Sequence, residues 1–137
     1  MNANINMGKM KNFSAPKKDR FIRKANRMSK KIINFNKLHE YSQLEYNWND
    51  NGAEPFDKEL INLAWKKINE LEIQPKVFPT AGDSIQFEYE KGNGDYLEFQ
   101  ICEDKIEVFK IIDKNEEEFN TSIDDDINNI VNKFHGK

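Results

Sequence analysis

Residues 84–102, SIQFEYEKGNGDYLEFQIC, decide how this chain folds. Ile85, Phe87 and Tyr89 alternate with Gln86, Glu88 and Glu90, and Leu97, Phe99 and Ile101 alternate with Glu98 and Gln100. Successive strand side chains point to opposite sides, so this alternation puts one face of each strand in a core and the other in water. Gly92, Asn93 and Gly94 lie between the two runs and supply the left-handed conformations a hairpin turn requires. A third strand follows at 105–112, KIEVFKII. Its core face reads either as Ile106/Val108 or as Phe109/Ile111, which implies contact on both sides or a bulge.

Upstream of the hairpin, Pro75 and Pro79 in QPKVFPTAGD (74–83) predict an extended connection, with a turn at Gly82–Asp83. Before it, Leu60, Ile61, Ala64, Ile68 and Leu71 recur at helical spacing, bordered by Trp65. Asp57 stands where it can cap that helix, and Glu59 sits in its positive first turn. Further upstream, Phe21, Ala25, Met28 and Ile32 form one stripe of a basic amphipathic helix over 17–34, joined by Ile22, Ser29 and Ile33. Phe35 and Asn36 are expected to break or bend it, and Leu38, Tyr41 and Leu44 predict a second short helix over about 37–46. Residues 1–15 show no periodicity and read as a disordered basic arm.

Downstream of the third strand, DKNEEEFN (113–120) reads as a polar connection. Thr121 then begins a C-terminal helix over 121–134, with Ile123, Ile127, Ile130, Val131 and Phe134 as its stripe. Thr121 and Asp124 form a variant capping box. The expectation is one α+β domain over 16–137: a three-stranded antiparallel β-meander packed against helices, with an N-terminal basic helix and a C-terminal helix.

The 137 residues carry a net charge of −3, and that charge is divided unevenly. Residues 1–37 hold eleven Lys and Arg against Asp19 alone, or +10; the remainder holds ten against twenty-three acidic residues, or −13. The cations Lys17, Lys18, Arg20, Arg23, Lys24, Arg27, Lys30 and Lys31 either neutralise the acidic domain or contact a polyanion such as nucleic acid. No helix-turn-helix, zinc-finger or RNP pattern accompanies them, so base readout is not implied. No apolar run approaches the roughly 20 residues of a membrane helix, and the N-terminus lacks an apolar signal region. A cytoplasmic protein with no membrane contact is the expectation.

Catalytic patterns are weak. Cys102 is the only cysteine, which excludes an internal disulfide and a multi-cysteine zinc site. His39 and His135 sit in separate predicted helices, and neither adjoins Cys102 in sequence. Asp50, Glu54 and Asp57 could converge in the loop EYNWNDNGAEPFDKEL (45–60), and Asn47, Asn49 and Asn51 echo a calcium loop. That echo fails on charge, with Lys58 standing where a bidentate Glu belongs. No metal, cofactor or catalytic residue is implied. Glu88, Glu90 and Glu98 should project together from the hairpin's outer face, with Glu107 beside them. They form either a solvated face that resists edge aggregation or a surface for a basic partner. Asp50 and Glu54 join them as candidate partner contacts.

Residues 46–110 resemble a group of small bacterial and phage proteins that carry a W-x-G-x-G-A-x-P segment, a helix, a P-x-V-x-P-x-x-x-G-x-I-x-L-E-W turn and strand, and a hairpin. Trp48, Gly52, Ala53 and Pro55 match the first segment, with Asp50 in place of its first Gly. Pro75, Val77, Pro79, Ile85 and Glu88 match the second; Phe87 replaces Leu, Tyr89 replaces Trp, and Gly82 falls one position early. The resemblance implies a shared fold and a phage or mobile-element context. By association it implies a binding role: an inhibitor of a defence nuclease (anti-CRISPR or other anti-defence), an antitoxin, or a nucleic-acid-binding accessory factor.

Overall fold

The hairpin of 84–101 is the centre of a wider sheet. The computed structural model describes residues 15–136. Two helices come first, α1 (Ala15–Ser42) and α2 (Lys58–Glu70). Five strands follow: β1 (Lys76–Thr80), β2 (Ser84–Glu90), β3 (Tyr96–Ile101), β4 (Ile106–Ile112) and β5 (Asn115–Thr121). Helix α3 (Asn128–Phe134) closes the described chain. The strands form a single antiparallel sheet in chain order.

The α+β class is as expected, but the three-stranded meander is corrected to five strands. The first addition, β1, lies in the segment read as an extended connection. Val77 stands opposite Phe87 and Pro79 opposite Ile85. Proline lacks the N–H a central strand must donate, and β1 accommodates it as an edge strand. The second addition, β5, lies in the acidic run 115–121. It is joined to β4 through Asp113 (φ 50°) and Lys114 (φ 68°), two left-handed residues of the kind that usually read Asn-Gly. Without glycine at the turn, and with Phe119 as its one apolar residue, β5 had no strand signature. Its carboxylates suit an edge that must not pair with another sheet.

The helices also differ from expectation. The segments 17–34 and 37–46 belong to the unbroken α1, which runs through Phe35 and Asn36 and ends at Ser42. Tertiary contacts hold it there: Asn34 Nδ2 donates to Gln74 Oε1 and to the Pro75 carbonyl, both at 3.0 Å, and the Tyr41 hydroxyl donates to the Val77 carbonyl at 3.1 Å. The expected arm 1–15 lies outside the described residues, Ala15 excepted. The C-terminal helix begins at Asn128 rather than Thr121, which ends β5. The expected Thr121–Asp124 capping box is corrected too: Asp125 accepts from the Thr121 hydroxyl and the Ser122 N–H in the turn before the helix, and the N-cap position, Ile127, makes no side-chain cap bond.

One sheet face is the core. Val77, Ile85, Phe87, Leu97, Phe99, Ile101, Ile106 and Val108 are buried there, which settles the inner face of β4 as Ile106/Val108. Leu60, Ala64 and Ile68 of α2 and Val131 and Phe134 of α3 complete the cluster. Lys67 is buried among them; its Nζ donates to the Asp125 carbonyl at 2.7 Å and lies 3.6 Å from Glu70.

Candidate functional site

The other face of the sheet takes no part in the core. Its residues are the alternate positions of each strand, and register brings them into rows. Glu88 stands opposite Glu98, Glu98 opposite Phe109, and Phe109 opposite Glu118. Gln86, Gln100, Glu107 and Asn120 form the next row, and Glu90, Tyr96, Ile111 and Glu116 the row on the other side. The structure therefore brings together four of the six residues expected to contact a partner: Glu88, Glu90, Glu98 and Glu107. It adds Glu116 and Glu118, which were hidden because β5 did not read as a strand. Their spacing of two was the available signal, although a run of three glutamates masks any alternation.

Hydrogen bonds order the centre of this face. Glu98 accepts from the Tyr96 hydroxyl at 2.7 Å and from Gln100 Nε2 at 3.3 Å, while Glu88 accepts from Gln86 Nε2 at 2.9 Å. Partial burial, then the Glu98 hydrogen bond and the Glu98 and Glu88 charges, push the Tyr96 phenol far above its ordinary range. It therefore stays a neutral donor. Tyr96 and Phe109 have ring centroids 6.2 Å apart, forming with Ile111 an apolar patch between the carboxylates. Beside it, Glu98, Gln100, Glu107, Phe109, Glu118 and Asn120 line a shallow depression of about 370 Å³. Among the described residues, Glu107 is the one glutamate of this face in an ion pair, with Lys105 at 3.6 Å. Directly opposed carboxylates such as Glu88 and Glu98 destabilise a sheet. The arrangement is suited to receiving Lys or Arg from outside.

Asp50 and Glu54 are not part of this surface. Both are exposed on the loop between α1 and α2, which is seated on the helical layer through Phe56, 5.7 Å from Trp48 and 6.5 Å from Tyr41. The loop uses its polar side chains on itself. Asn47 Oδ1 accepts from the Gly52 N–H at 2.7 Å, and Asn49 Oδ1 accepts from the N–H groups of Asn51 and Ala53. Two of the three asparagines that echo a calcium loop, Asn47 and Asn49, thus have their side-chain oxygens engaged by backbone. Asp57 occupies the N-cap position of α2 without making a side-chain cap bond; its carboxyl bonds to Glu103, pushing the Glu103 pKa up. Among the described residues, no group of three or more His, Cys, Asp or Glu could hold a metal ion. Burial, then the Glu107 charge, push the Cys102 thiol up, keeping it protonated.

The basic residues form a second surface. Every residue from 19 to 30 is exposed. At 3.6 residues per turn, Arg20, Arg23, Lys24, Arg27, Lys30 and Lys31 share one side of α1, opposite the apolar stripe. Lys18 follows in the same helix on the apolar side, and Lys17 lies in its first turn. No helix among the described residues is long and apolar enough to cross a membrane. No family model, curated protein or solved structure matches this chain.

Proposed function

We propose that this chain is a non-enzymatic binding protein that uses the open acidic sheet face to engage a cationic surface of a macromolecular partner. The partner class is a nuclease or a toxin, and the role is that of an inhibitor, an anti-CRISPR or other anti-defence protein, or an antitoxin. The observation that carries this reading is the Glu88–Glu98 pair, two directly opposed carboxylates on the outer sheet face, with four more glutamates on the same face and Lys76 opposite Glu88 on its β1 side. Proteins that act on nucleic acid present Lys- and Arg-rich grooves to the phosphate backbone, and this face is complementary to such a groove. The resemblance of residues 46–110 to phage and bacterial proteins supports the same context. Analytical gel filtration with purified nucleases and toxins of the host tests it. A stoichiometric complex that Glu88→Lys/Glu98→Lys abolishes supports the reading; a complex indifferent to that change contradicts it.

A second reading rests on the cationic side of α1, where Arg20, Arg23 and Arg27 would contact phosphates without reading bases. It predicts a gel shift that weakens steeply with salt, by roughly 0.9 logarithmic units of affinity per logarithmic unit of salt for each phosphate engaged on duplex DNA. Loss of the shift in Arg20→Ala/Arg23→Ala/Arg27→Ala supports it, and a salt-insensitive shift contradicts it.

A further inference from the structure

Strand β5 is a sheet edge with its backbone available. Its one neighbour in the sheet is β4, and Asn115, Glu116, Glu117, Glu118 and Asn120 are exposed. The two-residue turn at Asp113 and Lys114 closes on Ile112 and Asn115 as a hydrogen-bonded pair. Bonded and non-bonded pairs alternate along an antiparallel ladder, so Asn115, Glu117, Phe119 and Thr121 direct their backbone groups at β4. Glu116, Glu118 and Asn120 aim their N–H and C=O groups the other way, where no hydrogen bond among the described residues engages them. Depressions flank the edge on both sides. On the core side a groove of about 750 Å³ separates β5 from α3, with Ile112, Phe119, Ile130 and Phe134 in its lining. On the outer side lies the acidic depression bordered by Glu118 and Asn120.

We infer that the free edge of β5 accepts an extended segment of a partner protein as a further antiparallel strand, one whose side chains alternate basic and apolar. The inference rests on the acidic face being the docking surface, and it names the part of a partner that meets it. Charge decides which side of the added strand is basic. Residues opposite Glu116, Glu118 and Asn120 project from the outer face beside them, where the two glutamates take part in no ion pair among the described residues. Lysine or arginine there gains opposite-charge cross-strand pairs. The intervening residues turn toward the groove. On that side Glu117 is already paired with Lys110 at 3.4 Å, and Lys133 lines the groove, so an apolar side chain against Phe119 and Ile130 is favoured over a cation. The same carboxylates exclude a second copy, because β5 laid on β5 sets glutamate against glutamate. An edge guarded against its own kind stays open to a strand of opposite charge.

Fluorescence anisotropy of the full chain with a labelled peptide of about nine residues, alternating lysine and valine, tests it. Saturable binding is expected, weakened about tenfold or more by Glu116→Lys/Glu118→Lys. A peptide of the same composition with its lysines and valines in separate blocks should bind about tenfold more weakly, because neither of its faces is wholly basic. Backbone parity is the sharper readout. Residues opposite Glu116, Glu118 and Asn120 point their own N–H groups at the edge, so N-methylation of the lysine amides abolishes binding and N-methylation of the valine amides leaves it unchanged. Asn120→Pro removes one outward donor without removing a bond to β4 or a charge, and should weaken binding about fivefold with circular dichroism like that of wild type. Absence of peptide binding overturns the inference. So does binding that follows net charge alone, equal for the alternating and blocked peptides, or binding that survives methylation of the lysine amides. A host nuclease or toxin whose complex is lost in Glu88→Lys/Glu98→Lys but unaffected by Asn120→Pro also overturns it and leaves the proposed function standing. Parity-dependent peptide binding with no complex formed by any host nuclease or toxin supports the edge site and removes that function.

Discussion

Trp65 of α2 lies flat on Phe35 of α1, with ring centroids 4.4 Å apart and planes inclined by 16°. This contact carries α1 through the point where the sequence pattern changes face. Phe35→Ala removes the stack and part of the α1–α2 contact, at a cost of about 1–3 kcal/mol. Urea unfolding measures the cost, and circular dichroism should show lost helicity in α1. An unchanged midpoint and helicity would show that α1 is held elsewhere.

Lys67 ties α2 to the turn before α3 through the Asp125 carbonyl. Lys67→Met keeps the apolar stem and removes the donor. The Asp125 carbonyl then loses its charged donor, for a predicted loss of about 1–3 kcal/mol. Amide hydrogen exchange should accelerate in 122–131 more than in β2 and β3. Equal protection in the variant and wild type would contradict this role.

Two carboxylates make stability depend on pH in opposite senses. The Thr121 hydroxyl, then the Ser122 N–H, hold Asp125 below its ordinary value near 3.8. Its contribution is present above that value and is lost as pH falls through the folded pKa. A hydrogen bond that protonated Glu103 donates to the Asp57 carboxylate, followed by small burial and nearby carboxylates, raises Glu103 above 4.5. Its contribution is present below 4.5 and is lost as pH rises through the folded pKa. Glu103→Gln should therefore raise the melting temperature at neutral pH relative to wild type, with the gain shrinking below pH 4.5. Asp125→Asn should lower it at neutral pH, with the difference shrinking in acid. Parallel melting curves across pH for all three proteins test both signs.

The β4–β5 turn places Lys114 at φ 68°. A side chain in the left-handed region is strained, and glycine relieves that strain. Lys114→Gly should stabilise the protein by about 0.5–1 kcal/mol, read as a raised thermal midpoint. A lowered midpoint would show that the lysine makes a contact worth more than its strain.

The hairpin and the three helical regions were legible because their apolar residues recur with periods of two or about 3.6. Glu88, Glu90, Glu98 and Glu107 were legible as a cluster for the same reason: alternation fixes which side chains share a face. Both edge strands were hidden by tertiary effects. Pro79 is tolerated because β1 has a free side, and Glu116–Glu118 are tolerated because β5 needs only Phe119 to join the core. The α1 break was misplaced because the apolar stripe shifts sides at Ile33–Phe35. In sequence that shift looks like an interruption, while in the fold the helix passes from open solvent to the domain. Lys67 was unreadable because its burial depends on a carbonyl 58 residues away.

The acidic sheet face is the docking surface we propose. Calorimetric titration of the protein into a purified host nuclease or toxin tests it most directly, comparing wild type, Glu88→Lys/Glu98→Lys and Asp50→Asn/Glu54→Gln. Saturable 1:1 binding is expected of wild type and of the loop variant, and binding about tenfold weaker or worse of the sheet variant. Equal affinity for all three proteins, or a loss confined to the loop variant, would contradict it.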